Sequence, residues 1–276
     1  MRVIGFLRLV HPFPSILDGI VSAAFAVVAG GGILVAAGLG LAMGALQAGI
    51  GATNDLVDAP RDAGHKPGKP IPAGLVSGAA ARRVALVAFG TGLVLAGAFG
   101  GLAGCGVALV VIAVGLAYDL RLKGTAWSWL PFAVGIPILP VFGWLRATGV
   151  LPTAFVVLVP VAVAAGAALA IANALVDVER DRAAATGSVA IALGPARAWL
   201  AQAGLLVVVG LVAVGSVVPL GGSADRGVAV LAAAVIPIAA AVTGRRGSVA
   251  RRERAWEIEA LGLAILAFAW LAAVFA

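Results

Sequence analysis

Charge is what this chain of 276 residues most lacks: Asp, Glu, Lys and Arg make up 11% of it, while 62% is hydrophobic. With a mean hydropathy of +1.12, that composition excludes a soluble globular domain and leaves a polytopic, all-α membrane protein. Cysteine is nearly absent. The single Cys105, in an apolar Gly/Ala stretch, excludes an intrachain disulfide and a cysteine-held metal cluster, and reads as a buried spectator thiol. The N-terminal apolar run has no small-residue cleavage pattern behind it, so no cleavable signal peptide is expected.

What is abundant is apolar sequence of membrane-spanning length. Breaks at Gly, Pro and charge clusters leave about nine such stretches, at 13–30, 33–53, 83–100, 103–118, 128–146, 153–175, 197–219, 227–243 and 256–275. Only Phe99-Gly100-Gly101 separates the third from the fourth. With the N-terminus inside and the spans alternating, 17 of the 19 Lys and Arg fall on the inner side, and only Arg146 and Arg226 fall outside. That satisfies the positive-inside rule and predicts a cytoplasmic N-terminus and an external C-terminus. The formal charge of +7 is thereby a matter of topology, and no nucleic-acid partner is expected. Trp127, Trp129 and Trp144 bracket the fifth span as an interfacial aromatic belt would.

The few acids are concentrated in two similar segments. Asn54-Asp55-Leu56-Val57-Asp58-Ala59-Pro60-Arg61-Asp62 follows the second span, and Asn173-Ala174-Leu175-Val176-Asp177-Val178-Glu179-Arg180-Asp181 follows the sixth. Both have Asn, Asp and Asp four apart, Leu-Val before the middle Asp and Arg before the last. Groups four apart share one helical face, and a row of like charges is unfavourable there without a positive partner. A divalent cation with oxygen ligands meets that need. Both segments emerge on the predicted cytoplasmic side, so two such rows facing each other can hold metal and pyrophosphate between them.

The first segment runs on into Ala63-Gly64-His65-Lys66-Pro67-Gly68-Lys69-Pro70-Ile71-Pro72-Ala73-Gly74, which reads as an ordered loop. Lys66 and Lys69 are compact cations able to reach phosphate oxygens. Pro60 predicts a kink or restart in the first copy, because a helix-interior proline costs about 3 kcal/mol. The second copy has no proline and is expected to be regular through Asp181.

Asn-x3-Asp-x3-Asp after the second span, Lys-Pro-Ile-Pro-Ala-Gly after it, Tyr118 to Lys123 after the fourth and Asp-x3-Asp after the sixth resemble the UbiA superfamily of intramembrane prenyltransferases, over nearly the whole chain. The resemblance implies a single domain over 1–276: a nine-helix bundle with a central cavity, in which both acidic motifs coordinate Mg²⁺ on a prenyl diphosphate. It makes Asn54, Asp58, Asp62, Asn173, Asp177 and Asp181 the metal side. It also gives Lys66, Lys69, Lys123 and Arg182 to the diphosphate and places Tyr118 near the reacting centre. The chain departs from the family in having His11-Pro12 where many members have Arg-Pro, Lys69 where many have Arg, and one extra residue between Tyr118 and Lys123. The last lets Arg121 share the lysine's role. The implied activity is transfer of a prenyl group from an isoprenyl diphosphate to an aromatic or lipid acceptor within the membrane.

Two other readings compete. A secondary transporter built on a parallel repeat would need polar groups at depth, and only Asp18, Gln47, Gln202 and Glu259 qualify. An inactive lipid-binding homologue is opposed by the complete Asp set. Among the remaining residues, His11 reads as interfacial, His65 as a solvated or phosphate-touching loop residue, and Asp119 as a partner of Arg121 or Lys123. Glu257 and Glu259 are expected to balance the Arg251–Arg254 cluster.

Overall fold

The computed structural model describes residues 2–64, 66 and 68–275. Helix is the only regular structure among them: α1 (Arg2–Leu9), α2 (Pro12–Val28), α3 (Gly32–Asp62), α4 (Gly78–Ala117), a π-helical turn at Tyr118–Leu122, α5 (Leu130–Thr148), α6 (Phe155–Val176), α7 (Val178–Ala183), α8 (Val189–Leu193), α9 (Pro195–Ser216), α10 (Ala224–Gly244) and α11 (Val249–Phe275). Local chemistry sets several starts. Pro12 and Pro195 open α2 and α9, where a missing N–H costs nothing. Ser77 caps α4 by accepting from Ala80 N at 3.2 Å.

Among the described residues, seven helices are long and apolar enough to cross a membrane, or eight if α1 and α2, bent by 54° at His11, form one span. In that number the third and fourth of the nine stretches expected from hydropathy stand together as α4, which is 40 residues long. Gly101 interrupts that helix at φ 63°, ψ −158°, a conformation open essentially to glycine. A Cβ on Gly104 would overlap Ala96 O. On an unbroken helix those residues would stand about 12 Å apart along the axis, so the chain doubles back at Gly101. Large apolar side chains cover outward faces, Leu102 90%, Ile33 80% and Val156 74% exposed, as lipid-facing surfaces require. The protein is an all-helical, multi-pass membrane protein.

The chain divides into two compact units, Met1–Arg121 with Ile138–Val150, and Leu122–Pro137 with Leu151–Ala276. In the first, α3 packs between α2 and α4 through glycines that let backbones approach. A Cβ on Gly19 would meet Gly40 O at 2.7 Å, and one on Gly40 would meet Gly19 O at 2.8 Å. Gly40→Val is therefore expected to cost about 1–3 kcal/mol or more by overpacking, read as a lowered Tm in detergent. Gly90→Ala, with nothing within 4 Å of the added carbon, is the control and should be neutral or slightly stabilising.

In the second unit α9 packs on α6 and α10, and α10 on α11. Trp270 Nε1 donates to Ser216 Oγ at 2.9 Å and Trp199 Nε1 to Ala241 O at 3.0 Å, so these two indoles are satisfied. Val178 of α7, Val189 and Ala190 of α8, and Ala198 of α9 form one apolar cluster with Ile171 of α6. That cluster docks the two short helices at the end of α6. Trp144 is buried at 5% exposure and so does not serve in an interfacial belt; Trp127, 60% exposed, stays available to one.

Candidate functional site

The first acidic segment closes α3. Of the kink or restart expected at Pro60, the restart does not occur: the helix runs through to Asp62. Proline leaves the carbonyl four residues back without a donor, and so near the helix end that is a single lost bond. Asp55, Asp58 and Asp62, spaced three and four apart, form one face and are 2%, 6% and 6% exposed. Three buried carboxylates in a row demand compensation.

Each receives some. His11 Nε2 lies 2.9 Å from Asp55 Oδ1, and Lys69 Nζ pairs with the same oxygen. Lys66 Nζ stands 3.6 Å from Asp62 Oδ1, and Arg61 Nη2 3.9 Å from Asp58 Oδ1. Those last two separations exceed hydrogen-bond length. Asp62 Oδ2 is buried with no hydrogen-bond partner among the described residues. An oxygen left over on a buried carboxylate beside another carboxylate fits a hard divalent cation, which takes oxygen ligands and completes its shell with water or phosphate.

The loop after Asp62 is ordered around this face. Its backbone closes turns from Lys66 N to Asp62 O at 3.0 Å and from Lys69 N to Lys66 O at 3.1 Å. Arg8 of α1 donates to Gly68 O at 3.2 Å, and Val76 packs with Leu9, Ala52, Ala81 and Ala85. His65 lies outside the described residues. Asp119, 3% exposed, accepts from Asn54 Nδ2 at 2.7 Å. That bond joins the turn carrying Tyr118 and Arg121 to the first motif. Tyr118 is half-buried and Arg121 exposed.

In the second unit the expected regular helix is interrupted. α6 ends at Val176, Asp177 takes φ −98°, ψ 3°, and α7 begins at Val178. The physical reason is tertiary: Arg252 of α11 donates to Val176 O at 3.5 Å and grips Glu179, while Val178 enters the apolar cluster. Asp177 and Asp181 keep their helical spacing, Asp181 N donating to Asp177 O at 2.9 Å, but Asn173 stays behind on α6. Arg180 Nη2 lies 2.5 Å from Asp177 Oδ1. Lys123, half-buried, follows the π-helical turn, and Arg182 lines a pocket behind α7. Within each unit by itself, no three His, Cys, Asp or Glu side chains among the described residues gather at metal-ligand distance. Mg²⁺-type sites commonly use one or two carboxylates with substrate phosphates rather than a protein cage.

Asp55 is the residue that sequence reasoning passed over. Its spacing from Asp58 and Asp62 was visible, but its partner His11 stands 44 residues away. Glu259 corrects another expectation. It is 1% exposed and accepts from Gln202 Nε2 at 2.5 Å, so it faces inward rather than balancing the neighbouring arginines.

The model of the UbiA prenyltransferase family matches residues 15–272. No protein with a curated description matches the chain. Among similar solved structures is one of digeranylgeranylglyceryl phosphate synthase, with TM-score 0.73 and 15% identity over 99% of both chains. A UbiA homologue from Aeropyrum pernix K1 has TM-score 0.71 and 15% identity over 92% of this chain and 96% of that one. A UbiA homologue from Archaeoglobus fulgidus, bound to GPP and Mg²⁺, has TM-score 0.71 and 19% identity over 97% and 99%. At such identities the likeness establishes a shared fold.

Proposed function

The chain belongs to the UbiA prenyltransferase family, and from that premise we propose that it transfers a prenyl group from an isoprenyl diphosphate to an apolar or aromatic acceptor within the membrane, with Mg²⁺ as cofactor. The observation that carries this reading is the buried Asp55–Asp58–Asp62 face, with an Asp62 oxygen that has no hydrogen-bond partner among the described residues, at the mouth of an apolar helix and beside a lysine loop. A homologue of the same fold binds GPP and Mg²⁺, which supports the choice of donor and metal. The active-site opening belongs on the cytoplasmic side, where the positive-inside count places both motifs.

Asn54, Asp58 and Asp62 from the first motif, with Asn173, Asp177 and Asp181 from the second, would hold the metal. When bound, Mg²⁺ supplies neutralisation of the charge that develops on the leaving diphosphate. Lys66, Lys69, Arg121, Lys123 and Arg182 bind and orient the same anion. Asp55 holds Lys69 in place. Tyr118, on the turn fixed by Asn54 and Asp119, presents a phenol near the reacting carbon, with Asp58 and Asp177 as the central acids. The apolar helices exclude water while the allylic cation awaits the acceptor.

The test is pyrophosphate release by purified protein given geranyl, farnesyl or geranylgeranyl diphosphate with a panel of acceptors, and product identification by mass spectrometry. Chelation with EDTA is expected to abolish turnover and added Mg²⁺ to restore it. Turnover that persists in EDTA would overturn the metal assignment. A reporter fused after Ala276 is expected outside the cell, and a cytoplasmic reporter would refute the topology.

A further inference from the structure

The second unit contains a pocket of about 280 Å³ lined by α6, α7, α9, α10 and α11, and neither Asp177 nor Asp181 lines it. It occupies the other flank of α7, where Val178, Glu179 and Arg182 turn toward it. Two helices build its walls in register. α9 presents Pro195, Trp199 and Gln202, and α11 presents Arg252, Trp256 and Glu259; each set is spaced four and three, one helical face. Seven residues of rise make the pocket roughly 10 Å deep.

Its charge is sharply divided by depth. Arg182, Arg245, Arg246 and Arg252 stand at the mouth, with Glu179 as the acid among them. Arg245 is held at the rim by stacking, its guanidinium carbon 4.1 Å from the Trp199 ring. Arg252 is gripped by Glu179, Nη1 at 3.0 Å, yet its Nε is buried without a hydrogen-bond partner among the described residues. At the floor Gln202 holds one oxygen of Glu259, and the other, Oε1, is buried and unpartnered. Four guanidiniums against one carboxylate attract an anion, and the vacant oxygen below accepts from a hydroxyl or amine.

We propose that this pocket is a second anion site, which binds a phosphate-bearing group on the arginines and a hydrogen-bond donor of the same ligand on Glu259. A phospholipid headgroup that carries a hydroxyl or amine beyond its phosphate has this chemistry, and a free phosphate has the part that the arginines read. Arginine suits the task, because its planar fork matches phosphate oxygens. A phosphate at the mouth takes the place of Glu179 on Arg252 and braces α7, the helix that carries Asp181 and follows directly on Asp177.

The test uses the full chain purified in detergent, in EDTA so that metal-dependent binding at the acidic motifs is silent. Thermal stability and binding are followed against three probes: inorganic phosphate, short-chain phosphatidylglycerol and short-chain diacylglycerol. Saturable stabilisation by either phosphate-bearing probe, with none from diacylglycerol, is expected. Saturation by the lipid alone assigns a headgroup, and saturation by inorganic phosphate assigns the free anion. Arg245→Ala/Arg246→Ala should weaken binding about tenfold or more, the loss of charge-assisted hydrogen bonds, while Asp58→Ala should bind like the parent. The single Arg246→Gln variant, at an exposed position, should shift binding in the same direction if the double variant folds poorly. No stabilisation by either phosphate-bearing probe, unchanged affinity in the arginine variants, or loss of binding in Asp58→Ala would each overturn the proposal.

Discussion

Asp58→Ala is expected to lower Mg²⁺-dependent pyrophosphate release by about a hundred- to a thousandfold, the scale on which removing one preorganised electrostatic group acts, while the protein stays folded. The two effects separate because of where the carboxylate sits. It is buried at 6% exposure, next to Asp62, whose oxygen without a hydrogen-bond partner among the described residues marks the face as built for a further positive group. Its neighbour Arg61 is 55% exposed and remains solvated when the acid is gone, so the cost in stability is small. Asp177→Ala is expected to behave alike, since Arg180, 40% exposed, is similarly solvated. Matched Tm values with collapsed turnover are the expected pair of measurements. Turnover at the parent level in either variant would sink the proposal that both motifs hold the metal.

Asp55→Ala should act in the opposite proportion, on stability first. The carboxylate is 2% exposed and is shared by His11 and Lys69. Removing one member of a buried charge pair typically costs about 3–5 kcal/mol, because the partner is left uncompensated. Lys69 and His11 are 23% and 29% exposed, so water reaches them and the lower end of that range applies. A Tm lowered by several degrees is the expected reading. Turnover should fall as well, chiefly through a raised KM for the diphosphate, because Lys69 loses its anchor. Asp55→Asn keeps the shape and an acceptor for His11 but not the charge for Lys69. It should therefore recover most of the Tm and little of the KM. Recovery of both would show that Asp55 is only a packing residue, and a normal Tm in Asp55→Ala would show that the bridge contributes nothing.

The two acidic motifs show how far local pattern reached. Their spacing identified the residues to watch, but the expected asymmetry between them came out reversed. Pro60 was expected to break the first copy, and α3 instead runs through it to Asp62. The second copy, with no proline, is the one that breaks, at Asp177. Intrinsic propensity is a weak prior against tertiary contacts. Here the contacts are an arginine 76 residues away on the last carbonyl of α6 and a valine docked in an apolar cluster. Glu259 shows the same limit. Beside an arginine cluster in sequence, it was expected to balance those charges, yet its helical face turns it inward to Gln202, 57 residues distant.

By itself the sequence determined the class of molecule, the approximate spans, the family and the acidic residues around which a site can form. Those follow from composition and from spacings of three and four, properties carried within one helix or one loop. The tertiary structure alone decided that Asp55 is the hub for His11 and Lys69 and that Asn54 ties α3 to the Tyr118 turn. It also decided that four arginines from separate segments meet behind α7. Each of these joins groups that no local periodicity relates, and each is settled by which helix faces pack and which buried charges must find a partner.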